Sequence, residues 1–188
     1  MKGIWREPIN ISMKRIVFIT GGAKSGKSSF ALKLADEWAL KEKYPSISKA
    51  YIATAQALDE EMRDRIERHK KSRSEEWITF EEPIYIDNLI KDLGNKHSII
   101  LVDCLTLWLS NLLLNNKNGE AEIESFISTL STIDCFLLTV SNEVGMCIVP
   151  DNRLARIFRD LVGYMNQRIA EIADEAYLVV SGIPIKLK

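Results

Sequence analysis

Short runs of apolar, often β-branched residues recur along the chain, and each is nearly continuous rather than alternating with polar positions. Runs of this kind are typical of strands that are buried on both faces of a parallel sheet. The pattern predicts five strands, at residues 16–20, 50–54, 99–103, 135–140 and 177–181.

Between these runs, apolar residues recur at spacings of three and four, which is the period of an amphipathic helix. The clearest cases are residues 28–40, 58–73 and 154–172. Strands that alternate with helices imply βαβ units with right-handed crossovers, and therefore a mostly parallel sheet with helices on both faces. Two polar connections, at residues 41–49 and 115–120, are too short to separate domains. We therefore expect an N-terminal extension over residues 1–13 and a single domain over 14–188.

Eight residues directly after the first predicted strand fit G-x-x-x-x-G-K-[ST], the pattern of a phosphate-binding loop. In such a loop the backbone N–H groups point inward, and the following helix adds its positive end. An ordinary glycine turn is the alternative, but a strand runs straight in and a helix straight out. The fold is thus predicted to be α/β, of the P-loop NTPase type with a RecA-like sheet. The predicted loop consists of Gly21, Gly22, Ala23, Lys24, Ser25, Gly26, Lys27 and Ser28.

A magnesium site is predicted from Ser28, at the end of the loop, and Asp103, at the end of a strand. Lys27 can reach the β- and γ-phosphates of a nucleotide, while the Ser28 hydroxyl can bind Mg²⁺. The run at 99–103 ends in Asp103, whose carboxylate can hold Mg²⁺ directly or through water. Because ligands of open α/β sheets bind at the carboxyl ends of the strands, the polar residues that follow the other strands favour one shared site.

The composition and charge of the chain limit the classes of partner that it is expected to bind. The 188 residues are 46% hydrophobic, with 25 Lys+Arg against 26 Asp+Glu, which excludes a disordered chain and argues against a nucleic-acid partner. This balance of charge holds for the chain as a whole. Locally, basic residues concentrate beside the two elements that would bind phosphates. These are Lys24, Lys27, Arg68, Lys70, Lys71 and Arg73. A nucleoside triphosphate therefore remains a fitting ligand.

The cysteines and the apolar segments indicate where in the cell the protein is expected. Cys104, Cys135 and Cys147 show no paired spacing, as expected of reduced thiols in a cytoplasmic protein. The start of the chain has no signal-peptide pattern, and the most apolar segment, 99–114, is too short to span a bilayer. We expect a cytoplasmic protein without a membrane span.

His69 lies three residues after Ile66, on the apolar side of the second predicted helix. From the residues alone, a packed structural histidine and a nucleophile both stay open. Neighbouring cations would keep the imidazole neutral and could hold a polyphosphate against it, which a histidine attacking an α-phosphate would need. His97 is expected to be solvated in a polar turn.

Five separate blocks of sequence, together with Asn111-Leu112-Leu113, then match one known pattern. They lie at residues 21–31, 51–73, 77–83, 102–106 and 141–188. From about residue 14 to its end, the chain resembles the bifunctional adenosylcobinamide kinase/adenosylcobinamide-phosphate guanylyltransferase family of cobalamin biosynthesis.

The resemblance implies two reactions. Adenosylcobinamide is phosphorylated with ATP or GTP and Mg²⁺, and GMP is then transferred from GTP through a guanylylated histidine to give adenosylcobinamide-GDP. It also implies a homo-oligomer, with a trimer as the form to test. His69 sits where the family carries the guanylylated histidine, and Lys27 is the lysine of the phosphate loop. Further positions that the resemblance associates with the bound guanine nucleotide are Ile52, Ala53, Thr54, Lys70, Lys71, Ser72, Arg73, Glu81 and Asp103.

Two positions depart from the family pattern: Asp103 is Glu in some members, and Cys147 replaces a usual glycine. If that glycine needs a positive φ, the cysteine would strain the loop around Met146. Two alternative functions are a P-loop kinase with one activity, in which His69 is structural, and a non-catalytic nucleotide-regulated binding module.

Overall fold

The computed structural model describes residues 14–42, 47–57, 59–71 and 73–188, without the side chains of Glu42, Arg65, His69 and Lys71. The predicted extension at 1–13, Leu58 and Ser72 lie outside the described residues. Seven strands of the described chain form one sheet in the order β3-β2-β4-β5-β1-β6-β7. The strands are β1 (Arg15–Thr20), β2 (Lys49–Ala53), β3 (Trp77–Glu81), β4 (Ile99–Asp103), β5 (Phe136–Val140), β6 (Glu175–Val180) and β7 (Ile183–Lys186).

All neighbouring strands are parallel except β7, which pairs antiparallel with β6. The five predicted strands are confirmed to within two residues at each end. The prediction missed β3 and β7, the two edge strands. Edge strands carry more exposed positions than central ones: Ile78 and Thr79 of β3 are exposed, as is every residue of β7, which also contains Pro184.

In the described residues, six helices cover the sheet: α1 (Lys27–Glu42), α2 (Glu60–Lys71), α3 (Ile86–Gly94), α4 (Leu105–Leu114), α5 (Gly119–Thr132) and α6 (Arg153–Ile172). Short polar side chains begin several of them, as expected of helix caps. Asp59 accepts a hydrogen bond from Met62 N ahead of α2. Asn118 and Asn152 cap α5 and α6 in the same way.

The core has two layers, one on each face of the sheet. On one face, Trp108 and Phe126 lie in a fully buried cluster built with α3, α4, α5 and α6. On the other face, α1 packs Ala31 and Ala35, and Trp38 stacks on Phe136 with ring centroids 4.6 Å apart. Helices therefore lie on both faces, which confirms the predicted α/β class of fold.

Candidate active site at the carboxyl edge of the sheet

The loop between β1 and α1 has the backbone of a phosphate-binding loop. Gly21, Lys24 and Gly26 all have positive φ, at 149°, 56° and 97°. Ser25 N donates to Gly22 O, which closes the turn, and α1 begins at Lys27. The loop amides and the N-terminal end of a sixteen-residue helix thus lie together, as anion binding requires.

Neighbouring elements hold this loop from two sides. Glu143 N, just past β5, donates to Gly21 O at 3.0 Å, and Gly182 N, in the β6–β7 turn, donates to Ser25 O at 2.8 Å. A Cβ at Gly21 would lie 2.3 Å from the Val179 carbonyl oxygen. Gly21 is therefore required both by its φ and by the close approach of β6.

Lys27 is 6% exposed, and its Nζ donates to Gly22 O at 2.6 Å, so the ammonium group lies inside the loop. Ser28 follows it in the first turn of α1 and is half-buried. The Lys27 ammonium group therefore lies where the predicted phosphates would bind, and Ser28 is the next residue along α1.

The carboxyl edge of the sheet brings residues from distant parts of the sequence into one row. Ala53 is in register with Glu81 of β3 and with Asp103 of β4, and Asp103 is in register with Val140, which pairs with Ile19. With about 4.8 Å between strands, Asp103 lies roughly 10 Å from Glu81 on one side and from β1 on the other. The phosphate loop begins two residues after Ile19, so Asp103 lies between the loop and the β3 edge.

Asp103 is half-buried and held by a tyrosine. Tyr51 Oη donates to Asp103 Oδ2 at 2.5 Å. Burial, and then the charge of Asp103, raises the pKa of Tyr51 well above its ordinary value, so the hydroxyl keeps its proton and remains the donor. The Arg73 guanidinium lies over the Tyr51 ring, 3.9 Å from its centroid, and donates to Thr79 Oγ1 at 3.0 Å.

The end of α2 approaches the same edge. Lys70 Nζ lies 2.7 Å from Glu81 Oε1, and both side chains are substantially exposed. Two residues from the predicted nucleotide positions, Lys70 and Glu81, therefore meet, and a third, Arg73, lies against Tyr51 on the neighbouring strand. His69 belongs to α2 one position before Lys70, and its side chain, like that of Lys71, lies outside what the structure describes. Ser72 lies outside it altogether.

The stretch at the end of β2 is largely interior. Ile52 and Thr54 are fully buried, and Ala53 is half-buried. Thr54 Oγ1 donates to Cys104 O and accepts from Cys104 N, at 2.7 and 2.9 Å. Thr54 O accepts from the amide of Asn111, and Thr54 N donates to Asp103 O. In this structure Thr54 ties the ends of β2 and β4 together.

The sequence places Thr106 among the polar residues that follow predicted strands, but Tyr51 and Asn111 were not predicted as parts of this site. Thr106 Oγ1 lies 3.2 Å from Ser141 Oγ and accepts from Asn142 N, which joins the start of α4 to the end of β5. The sequence signal for this group is position, because Thr106, Ser141 and Asn142 are polar residues that follow predicted strands. Tyr51 and Asn111 lie inside apolar stretches and become visible only once the register of the strands is known.

The residues present fit a magnesium ion that arrives with a nucleotide. Mg²⁺ is usually held by one or two carboxylates, substrate phosphates and water rather than by an all-protein cage. In the part of the chain that the structure describes, no group of three or more His, Cys, Asp and Glu could hold a metal ion. A single carboxylate, Asp103, with the hydroxyl of Ser28 matches that sparse donor set.

Two expectations at other positions are corrected. His97 is not simply solvated: it is half-buried, its ring lies edge-on to Phe80 at 5.8 Å, and burial followed by Lys96 lowers its pKa. Cys147 is exposed, and positive φ among the described non-glycine residues is confined to Lys24, Asn116 and Ser181. Cys147 therefore introduces no left-handed strain.

The chain is similar to known proteins along most of its length. The family model described as cobinamide kinase / cobinamide phosphate guanyltransferase matches residues 17–187. The chain belongs to this family. Two relatives named bifunctional adenosylcobalamin biosynthesis protein CobU, from Escherichia coli (strain K12) and Salmonella typhimurium (strain LT2), are each 40% identical over 188 residues, covering 92% of this chain and 99% of the relative. A relative named CobP from Pseudomonas aeruginosa is 40% identical over 172 residues and covers 90% of this chain and 95% of its own.

The solved structures that resemble this chain are more distant. A KaiC-like protein from the archaeon Pyrococcus horikoshii has a TM-score of 0.49 at 13% identity, covering 88% of this chain and 71% of that chain. The flagellar accessory protein FlaH from Methanocaldococcus jannaschii has a TM-score of 0.48 at 16% identity, covering 95% and 80%.

Family membership confirms the predicted resemblance and the predicted class of enzyme, a bifunctional kinase and guanylyltransferase of cobalamin biosynthesis. It does not favour a kinase with one activity or a non-catalytic module, because the family is described by both transfers. Among the described residues, no helix is long and apolar enough to cross a membrane.

Proposed function

We propose that this chain carries out both transfers at the carboxyl edge of its one described sheet. It would phosphorylate adenosylcobinamide with ATP or GTP, and then convert the product to adenosylcobinamide-GDP with GTP. The observation behind this proposal is that two groups of cations lie along this edge. The loop around Lys27 lies at one end of the row, and Lys70 and Arg73 lie at the other.

In the kinase step, the hydroxyl oxygen of the aminopropanol group attacks the γ-phosphorus of the nucleotide. The bond between this phosphorus and the oxygen that links it to the β-phosphate breaks, so the nucleoside diphosphate is the leaving group. Lys27 and the loop amides of residues 21–28 stabilise the charge that spreads over the transferring group. The Mg²⁺ that accompanies the nucleotide, held by Ser28 and Asp103, would supply further charge neutralisation. Gly21 and Gly26 let the loop amides face the phosphates.

In the guanylyl step, neutral His69 attacks the α-phosphorus of GTP, and pyrophosphate leaves as the nitrogen–phosphorus bond forms. A phosphate oxygen of adenosylcobinamide phosphate then attacks the same phosphorus, and the histidine is released. Dividing one difficult transfer into two displacements is the gain of covalent catalysis. Lys70, Lys71, Ser72 and Arg73 hold the phosphates of GTP, and Glu81 orients Lys70, to which it is already paired.

The residues around β2 have two roles. The backbone of Ile52 and Ala53 lines the nucleotide site beside Asp103, while Thr54 contributes by fixing the strand ends. The described strands all lie in one sheet, which supports a single domain over 14–188.

We also propose that the protein is a cytoplasmic homo-oligomer. Exposed apolar side chains at Ile183 and Ile185 of β7, and at Leu187 directly after it, support assembly into a homo-oligomer, with a trimer to be tested by light scattering. A cytoplasmic location agrees with the three unpaired cysteines.

The kinase half is tested by Lys27→Ala. We expect kcat/KM for phosphorylation of adenosylcobinamide to fall by at least about 100-fold, because the variant removes the buried cation that stabilises the transferring phosphoryl group. Turnover is measured with ATP and with GTP as donor, which also identifies the preferred one. The matched control is Lys33→Ala on the exposed side of α1, where the lysine side chain is 75% exposed and pairs only weakly with Glu37.

Unchanged turnover in Lys27→Ala would contradict the assignment of the loop. Loss of turnover in both variants would point to damage to α1 rather than to phosphate binding. A wild-type chain that binds nucleotide but phosphorylates no corrinoid would contradict the proposed reaction.

A further inference from the structure

Tyr51 is a buried residue with a polar group that faces the proposed metal site. It is 3% exposed, and its hydroxyl donates to Asp103 Oδ2 at 2.5 Å. The sheet register explains the contact. Tyr51 pairs with Leu101, and Asp103 is two residues further along β4, so both side chains lie on the same face of adjacent strands.

The Tyr51 ring is fixed from two directions. The Arg73 guanidinium covers one face at 3.9 Å from the centroid, a geometry typical of a cation–π contact. Trp77, on the neighbouring strand, meets the ring edge-on with centroids 6.2 Å apart. Arg73 is itself bonded to Thr79, which is in register with Tyr51. A ring held in this way presents its hydroxyl to Asp103 in one orientation.

We infer that Tyr51 is a positioning residue for Asp103. Its hydroxyl restrains rotation of the carboxylate, so that the carboxylate meets the metal–nucleotide complex already oriented. The inference rests on the proposed role of Asp103 at the Mg²⁺ of the nucleotide. Because Tyr51 is buried, it would act only through Asp103. Losing a hydrogen bond to a charged group should weaken metal binding about 10-fold.

The test compares Tyr51→Phe with the wild type. Phenylalanine keeps the ring beneath Arg73 and removes only the hydroxyl. Binding of Mn²⁺, as a paramagnetic probe, is measured by electron paramagnetic resonance in the presence of the β,γ-imido analogue of ATP. We expect Mn²⁺ affinity in this ternary complex to fall about 10-fold, while affinity for the analogue without metal stays within about 2-fold.

Kinetics provide a second readout. In Tyr51→Phe the KM for Mg²⁺ in the kinase reaction should rise by a similar factor, while kcat at saturating Mg²⁺ stays close to the wild-type value. A merely structural role would lower kcat together with thermal stability and leave the metal dependence unmoved. The matched control is Tyr164→Phe, which removes a similar hydroxyl-to-carboxylate bond, to Glu124 at 2.7 Å, on the exposed side of α6. The control should change neither readout.

A third variant, Asp103→Asn, separates this inference from the proposed function. If Asp103→Asn weakens Mn²⁺ binding and Tyr51→Phe does not, the positioning role is wrong and the function stands. If Asp103→Asn leaves Mn²⁺ binding intact, the proposed metal role of Asp103 fails and the inference fails with it.

Discussion

At the scale of single residues, the phosphate loop depends on glycines for reasons that lie partly outside the loop. The sequence motif predicts Gly21 from its place in the pattern, and its φ of 149° agrees with that prediction. The motif could not predict that β6 brings the Val179 carbonyl oxygen within 2.3 Å of where a Cβ would stand. That contact requires the pairing of β6 with β1, which joins residues about 160 positions apart in the chain.

Gly21→Ala should therefore destabilise the fold strongly. A methyl group would force either the loop or the β6 backbone to move and would strain the backbone, at a cost of about 3 kcal/mol in the free energy of unfolding. Urea unfolding measures the difference at constant m-value. Gly22→Ala is the control, since a Cβ there would meet nothing within 4 Å, and it should stay within about 0.5 kcal/mol. Equal losses in the two variants would contradict the steric argument.

At the scale of elements, the site depends on how the strand ends are tied together. Thr54, directly after β2, bonds both backbone groups of Cys104, directly after β4, and Asn111 of α4 bonds Thr54 O and Pro83 O. The central strands could be predicted from their continuous apolar runs. These ties could not, because a buried threonine or asparagine has the same sequence pattern whether it contacts a ligand or a neighbouring strand.

The edge strands illustrate the same limit. In β3, Trp77 is buried while the next two residues are exposed, and β7 is exposed throughout, so neither shows a continuous apolar run. Yet β3 carries Glu81 to the site, and the turn before β7 bonds the phosphate loop. The apolar runs therefore predict the central strands of the sheet but not its two edge strands, β3 and β7.

Thr54→Val tests the tie between β2 and β4. Valine has the shape of threonine but leaves the N–H and C=O of Cys104 without these partners, so we expect a loss of about 2 kcal/mol in the free energy of unfolding. The control is Thr129→Val, also buried, whose hydroxyl bonds only the Ser125 carbonyl within its own helix. Its loss should be small, about 0.5 kcal/mol. If both variants lose the same amount in chemical denaturation, Thr54 has no special part in holding the edge.

At the scale of the whole molecule, a formal charge of −1 coexists with a cationic edge. Lys27 at the loop and Lys70 and Arg73 near the end of α2 all lie along the carboxyl edge of one sheet. The composition argues against a long polyanion as partner, and the motif predicts a nucleotide. Only the sheet order shows that the two elements proposed to bind phosphates lie along the same edge, on either side of Asp103.

The central claim, that this edge supports covalent guanylyl transfer through His69, is tested by incubating the protein with GTP labelled at the α-phosphate. A histidine phosphoramidate should remain on the denatured protein in alkali and be lost in acid. His69→Ala should abolish the label. The control His97→Ala, which alters the other histidine of the chain, should label like the wild type. Full labelling of His69→Ala, or a label that survives acid, would contradict the account.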